Sequence, residues 1–224
     1  MKVPMKVPIE EAIRYLRADP ADRVTRQMAE EMAAVLEEKA PPRFIDREFS
    51  LERREDGVFL PEAGLLLPGK MAEGMLRDCE KAVLLACTLG AAYEQAERTW
   101  RVRDMARAAV LNACGSAFVE VGCEEAERTI QRRHPELYLT DRFSPGYGDL
   151  PLSVQEGLLR ALGAEKYLGI QLTPSFLMIP SKSVTAVIGL AATPQGTRIR
   201  GCAYCGMKDT CEIRKGGRFC GADA

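Results

Sequence analysis

A chain of 224 residues that is 46% hydrophobic can bury a substantial core and fold unaided, as one domain or one and a half. Its formal net charge is −1 with acids and bases interspersed, so no basic footprint for nucleic acid is present, and no segment approaches a membrane-spanning apolar run. The N-terminus, MKVPMKVPIEEAIRYLRADP, repeats Met-Lys-Val-Pro without the apolar stretch of a signal peptide, and a cytoplasmic protein is expected.

Ile9 to Arg17 reads as a short helix. Thr25 to Lys39 reads as a second, amphipathic one with Met28, Met32, Val35 and Leu36 on one face, ended by Pro41 and Pro42. Period-two character over Arg43 to Glu52 (Phe44, Ile45, Phe49, Leu51) predicts a strand, with Gly57 to Leu60 as its hairpin partner. Leu65 to Gly69 reads as a break before a helix from Met71 to Cys79, and Lys81 to Thr88 as a buried strand closed by Gly90. Lys70 follows a glycine, but the other glycine and the Ser or Thr of a phosphate-binding loop are missing.

Ala91 to Arg133 contains no proline and predicts a long helix, bent near Trp100 to Arg103. Its many small residues (Ala106, Ala108, Ala109, Ala113, Gly115, Ser116, Ala117) allow close packing. Cys79, Cys87, Cys114 and Cys123 lie in apolar runs and read as inert core residues. The single histidine, His134, next to Pro135, has no partners in sequence for a triad or a multi-histidine metal site, and a helix-capping or surface role is expected.

Arg142 to Gln155, RFSPGYGDLPLSVQ, concentrates unusual backbone chemistry. A strand-like run from Leu137 to Thr140 leads into it, and Pro145, Gly146, Tyr147 and Gly148 force a turn whose peptide groups can face a ligand. Pro151 or Ser153 opens a helix through Leu162, whose N-terminus would offer N–H donors to a carboxylate. Arg142 adds a planar charged fork and Tyr147 a ring that can stack or donate. Further on, LTPSFLMIP and SVTAVIGLAA read as neighbouring strands. Thr193 to Gly196 then makes a turn before a last short strand from Thr197 to Arg200.

These segments share an order with a known family. Arg142, Pro145-Gly146-Tyr147, Leu172-Thr173-x-Ser175, Met178-x-Pro180 and Ser183-Val184, spread from Arg142 to Leu190, resemble the activation domain of cobalamin-dependent methionine synthase. The resemblance is loose over the helical middle and absent from the tail. It implies a domain that binds S-adenosylmethionine and presents the methyl group to a cobalamin oxidised to the inactive cob(II) state, while an electron donor supplies the reduction. Carried over by residue, Arg142 would hold the ligand carboxylate, Ser144, Pro145 and Gly146 would contact it through backbone, and Tyr147 would border the sulfonium. Asp104 and Asp46 are weaker candidates for the acid that meets the ligand amino group.

Residues 201–224 change character. Cys202, Cys205, Cys211 and Cys220 are spaced C-x2-C-x5-C-x8-C among glycines and bases, and a tail with so little apolar content needs a metal or a crosslink to hold one shape. A reducing compartment argues against disulfides, and the spacing admits zinc or an iron-sulfur cluster alike. No Gly-x-Gly-x-x-Gly follows a strand, and the Asp-x-His-x-x-Gly by which methionine synthase ligates cobalamin is missing, so the corrinoid would belong to another protein.

The expectation is therefore an α+β fold, a twisted, mainly antiparallel sheet with long helices packed on it, over residues 1–200, followed by a metal-binding tail at 201–224. The expected function is support of reductive methylation of cob(II)alamin on a separate methionine synthase or other corrinoid protein. The alternative is an iron-sulfur or zinc electron-transfer or docking module for such a protein that does not use S-adenosylmethionine.

Overall fold

The computed structural model describes residues 5–196. In chain order the elements are α1 (Ile9–Leu16), α2 (Arg23–Lys39), β1 (Arg43–Ser50), β2 (Glu52–Arg54), β3 (Gly57–Leu60), a 3-10 turn (Pro61–Ala63), β4 (Leu65–Pro68), α3 (Lys70–Met75), β5 (Cys79–Thr88), α4 (Gly90–Arg103), α5 (Met105–Arg133), β6 (Tyr138–Leu139), α6 (Val154–Leu162), α7 (Ala164–Leu168), β7 (Gln171–Leu172), β8 (Met178–Ile179) and β9 (Ser183–Ala191). The class is α+β with antiparallel sheets, as expected. Among the described residues no helix is long and apolar enough to cross a membrane. The described residues divide into two compact units, 5–46 with 85–130 and 159–185, and 47–84 with 131–158 and 186–196.

In the first unit Asp22 caps α2 by accepting the Val24 N–H at 3.0 Å, and α1 packs on α2 through buried Ala12, Ile13, Ala29 and Met32. The single long helix predicted from Ala91 is two helices. At Asp104 the backbone becomes extended (φ −159°), and its carboxylate accepts the Arg107 N–H at 3.1 Å, which starts α5 afresh. An aspartate followed by three helix-competent residues is a cap signal that the apolar periodicity conceals. The small residues of α5 do permit close approach: a Cβ on Gly115 would lie 2.6 Å from the Tyr93 ring of α4. Cys114 is fully buried, its thiol 3.7 Å from the Ala29 carbonyl, and burial pushes its pKa up to about 12.

LTPSFLMIP is not one strand. Thr173 accepts the Leu177 N–H on its hydroxyl (3.0 Å) and donates its own N–H to the Leu177 carbonyl (2.9 Å), so the chain folds back into a two-residue ladder of β7 with β8.

In the second unit β2, β3 and β4 form an antiparallel sheet with Arg53 opposite Val58 and Val58 opposite Leu67. The hairpin partner of Gly57–Leu60 is thus β2, because the chain breaks at Leu51, and Leu65–Pro68 is a strand where the sequence suggested a break. The helix expected to reach Cys79 stops at Met75. Arg53 Nη2 donates to the carbonyls of Leu76, Arg77 and Cys79 at 3.2, 2.7 and 2.8 Å, which absorbs the acceptors beyond its end. β6 pairs antiparallel with the end of β9, Tyr138 opposite Ala191 and Leu139 opposite Leu190. His134 follows the last residue of α5 and donates its N–H to the Gln131 carbonyl (3.2 Å), while its partly buried side chain, 17% exposed, puts Nε2 2.7 Å from Glu48 Oε1.

A candidate ligand loop held to helix α3

The loop predicted at Arg142–Gln155 is present in the second unit, and it begins on the sheet. Phe143 exchanges both backbone hydrogen bonds with Val187 (3.0 and 2.8 Å) and is 1% exposed. Side chains alternate across a bridge of this kind, so the half-buried Arg142 and Ser144 lie on the face opposite Phe143. Pro145 is buried, and the chain then turns through Gly146 (φ +93°) and Gly148 (φ +54°), two conformations that glycine alone takes without strain.

The turn closes on itself. Gly146 N–H donates to the Leu150 carbonyl (2.8 Å), Tyr147 N–H to Ser144 (3.1 Å) and Leu150 N–H to Tyr147 (3.0 Å), while Leu150 is 1% exposed and anchors the end. The expectation of N–H groups turned toward a ligand is corrected here, since the amides of Gly146 and Tyr147 are used within the loop. The start of α6 is likewise occupied: Val154, Gln155 and Glu156 donate to the carbonyls of Pro151, Leu152 and Ser153. The loop instead presents the 57% exposed Tyr147 ring and the exposed backbone of Gly146 and Gly148. A Cβ on Gly146 would meet only Leu152 Cδ1, at 3.5 Å, so the outer face of the turn is open.

Asp149 is the residue that sequence reasoning passed over. Its two carboxylate oxygens accept the N–H groups of Lys70 (2.7 Å) and Met71 (2.9 Å), the first amides of α3. These backbone bonds hold its carboxyl below the usual range. Gly69 is shaped to the contact, for a Cβ there would fall 2.7 Å from Asp149 Cγ, and Gly148 leaves the space taken by the Met71 methyl, 2.5 Å from a Cβ built on it. The loop is therefore tied at three points, to β9 by Phe143, to itself by Leu150 and to α3 by Asp149. No local sequence signal marks the third, whose partners lie 78 and 79 positions away.

Of the acids suggested for a ligand amine, Asp104 is committed elsewhere, to capping α5 and to an ion pair with Arg107 Nη1 at 2.7 Å, while Arg107 also meets Glu31 at 3.1 Å. Asp46 lies in β1 and is half-buried. Cys202, Cys205, Cys211 and Cys220 lie outside the described residues. Among the described residues no group of three or more His, Cys, Asp or Glu could hold a metal.

Comparison of the sequence with protein-family models and with curated proteins finds no match. Among solved structures the chain is similar to the crystal structure of the MetH reactivation domain bound to AdoHcy, with a TM-score of 0.61 and 16% identity over 92% of this chain and 77% of that one. The likeness is one of fold.

Proposed function

We propose that this chain binds S-adenosylmethionine on the Arg142–Tyr147 loop and supports reductive methylation of cob(II)alamin carried by a separate methionine synthase or another corrinoid protein. The observation that carries the reading is a conjunction. An Arg-x-x-Pro-Gly-Tyr loop, tied at three points with its outer face open, occurs in a chain whose fold matches a domain solved with AdoHcy.

In this reading S-adenosylmethionine supplies an electrophilic methyl group, the partner's cobalamin the metal that takes it, and an electron donor the reducing equivalent. The task of this chain is placement. Arg142 holds the ligand carboxylate with its guanidinium, where the charge-assisted bond is strong and its geometry fixed. Ser144, Pro145 and Gly146 line the ligand with backbone, and Tyr147 lays its ring beside the sulfonium, where a π-face favours positive charge. Proximity accounts for the rate gain, because the sulfonium is already a reactive donor that leaves as the neutral thioether, and the partner's cobalt, once reduced by the electron donor, would be the nucleophile.

The reading places the activation-like domain at 1–200 and a metal-binding tail at 201–224, with Cys202, Cys205, Cys211 and Cys220 as ligands to zinc or to an iron-sulfur cluster. Anaerobic purification, a visible spectrum and metal and sulfide analysis identify the metal. Calorimetric titration of the same sample with S-adenosylmethionine tests the site. Binding is expected, and Arg142→Ala should weaken it by about 1.5–3 kcal/mol, the value of a hydrogen bond to a charged group. Undiminished affinity in that variant removes Arg142 from the site, and no binding by the native chain overturns the reading.

A further inference from the structure

In the first unit, Lys182 stands immediately before β9 with its backbone pinned. Its carbonyl accepts the Leu89 N–H at 3.0 Å and the Thr88 hydroxyl at 3.3 Å. The residue is half-buried, and its side chain runs to α5 and α4: Nζ donates to Ser116 Oγ at 2.8 Å and lies 5.8 Å from the centroid of the buried Tyr93 ring. Ser116 in turn donates its hydroxyl to the Asn112 carbonyl at 3.2 Å.

This setting supports an ammonium poorly. The cation has three donors, and among the described residues the protein meets one of them, with a neutral hydroxyl and with no carboxylate in ion-pair reach. Burial, the larger effect, holds the Lys182 pKa below the ordinary lysine range against Glu97 and Glu94 of α4, whose charges favour the cation. A partly desolvated amine that solvent still reaches, with a hydroxyl beside it to relay a proton, has what a nucleophilic lysine needs. We infer that Lys182 is a modification site, a nucleophilic amine at which a small uncharged aldehyde condenses to an imine beside Ser116. Glu94 and Glu97 oppose an anionic aldehyde, which is why the class is an uncharged one.

In the addition step the Nζ lone pair bonds to the carbonyl carbon and the C=O π pair moves to oxygen. Ser116 takes one proton from nitrogen as it passes its own to that oxygen. The nitrogen lone pair then expels hydroxide, which takes the remaining iminium proton and leaves as water.

The inference is independent of the Arg142 loop, which belongs to the second unit. Lys166 is an internal control, since it too lies over an aromatic ring, 5.3 Å from the Tyr167 centroid, but is exposed. The full chain is treated briefly with propionaldehyde and sodium cyanoborohydride at neutral pH, and alkylation at each lysine is read by peptide mass spectrometry. Lys182 should react at least about fivefold faster than Lys166, and the preference should vanish in the urea-unfolded chain. Ser116→Ala should slow Lys182 alone, with a native unfolding midpoint. Glyoxylate, an anionic aldehyde, should show a smaller preference for Lys182. Equal rates at the two lysines in the folded chain, a preference that survives unfolding, or an undiminished rate in Ser116→Ala each overturns the assignment, and an equal preference with glyoxylate overturns the restriction to uncharged aldehydes.

Discussion

The carboxylate of Asp149 occupies the position that a side chain on Gly69 would need, 2.7 Å from where its Cβ would stand. Gly69 has φ +93°, so an L side chain is disfavoured twice over, by backbone strain and by contact. Gly69→Ala should lower stability by about 1–3 kcal/mol and loosen the loop. Chemical denaturation with hydrogen exchange at Gly146 and Leu150 checks this, and unchanged exchange there means that the contact does not hold the loop.

Asp149 also makes an acid-dependent contribution. Its folded-state pKa lies below the unfolded value because Met71 and Lys70 N–H groups stabilise the carboxylate. The stabilisation is therefore present above the unfolded value and lost as pH falls through the depressed folded one. Asp149→Asn should be less stable than the native chain at neutral pH, and the difference should narrow as acid is added below the ordinary carboxylate range. Thermal unfolding of both proteins across that range gives the answer, and a pH-independent gap would assign the effect to hydrogen-bond geometry alone.

Gly115 faces the fully buried Tyr93 with 2.6 Å between its missing Cβ and the ring. Gly115→Ala raises helix propensity but overpacks this contact, and the second effect is the larger, about 1–3 kcal/mol of net destabilisation. A shift of the denaturation midpoint in the stabilising direction would show that Tyr93 moves aside freely.

The same helix shows what could be read from the sequence and what could not. The apolar face of α5, the buried cysteines, the β9 run and the turn at Pro145–Gly148 all follow from periodicity, composition and turn chemistry, which act within a few residues of one another. The break at Asp104 was legible in principle but masked by an unbroken apolar pattern. LTPSFLMIP has the composition of a strand, and only the Thr173 hydroxyl, bonding locally to Leu177, folds it into a hairpin. The Asp149 bonds to α3 and the pairing of His134 with Glu48 join residues 78 to 86 positions apart, where no local preference reports on partner choice.

Cys79, Cys87, Cys114 and Cys123 are all buried, and burial raises the Cys114 thiol pKa to about 12. With Cys202, Cys205, Cys211 and Cys220 replaced by serine, the folded variant should show no reaction with an aromatic disulfide reagent, and unfolding should release the four remaining thiols. Rapid reaction of any thiol in the folded state would mean that its element opens locally, and the kinetics would give the free energy of opening.

Tyr147 separates a role in structure from one in binding. Its ring is 57% exposed, whereas the loop closes through its backbone, by the N–H to Ser144 and the carbonyl to Leu150. Tyr147→Ala should leave stability within about 0.5 kcal/mol of native, as for other exposed positions without a cap or a buried partner. If the ring lies beside the sulfonium, the same change weakens S-adenosylmethionine binding, and Tyr147→Phe, which keeps the π-face, restores most of it. Calorimetry on the three proteins distinguishes the cases. Recovery in Phe assigns the ring face, continued loss in Phe assigns the hydroxyl as a donor, and full affinity in Ala removes Tyr147 from the site while leaving Arg142 to be judged by its own variant.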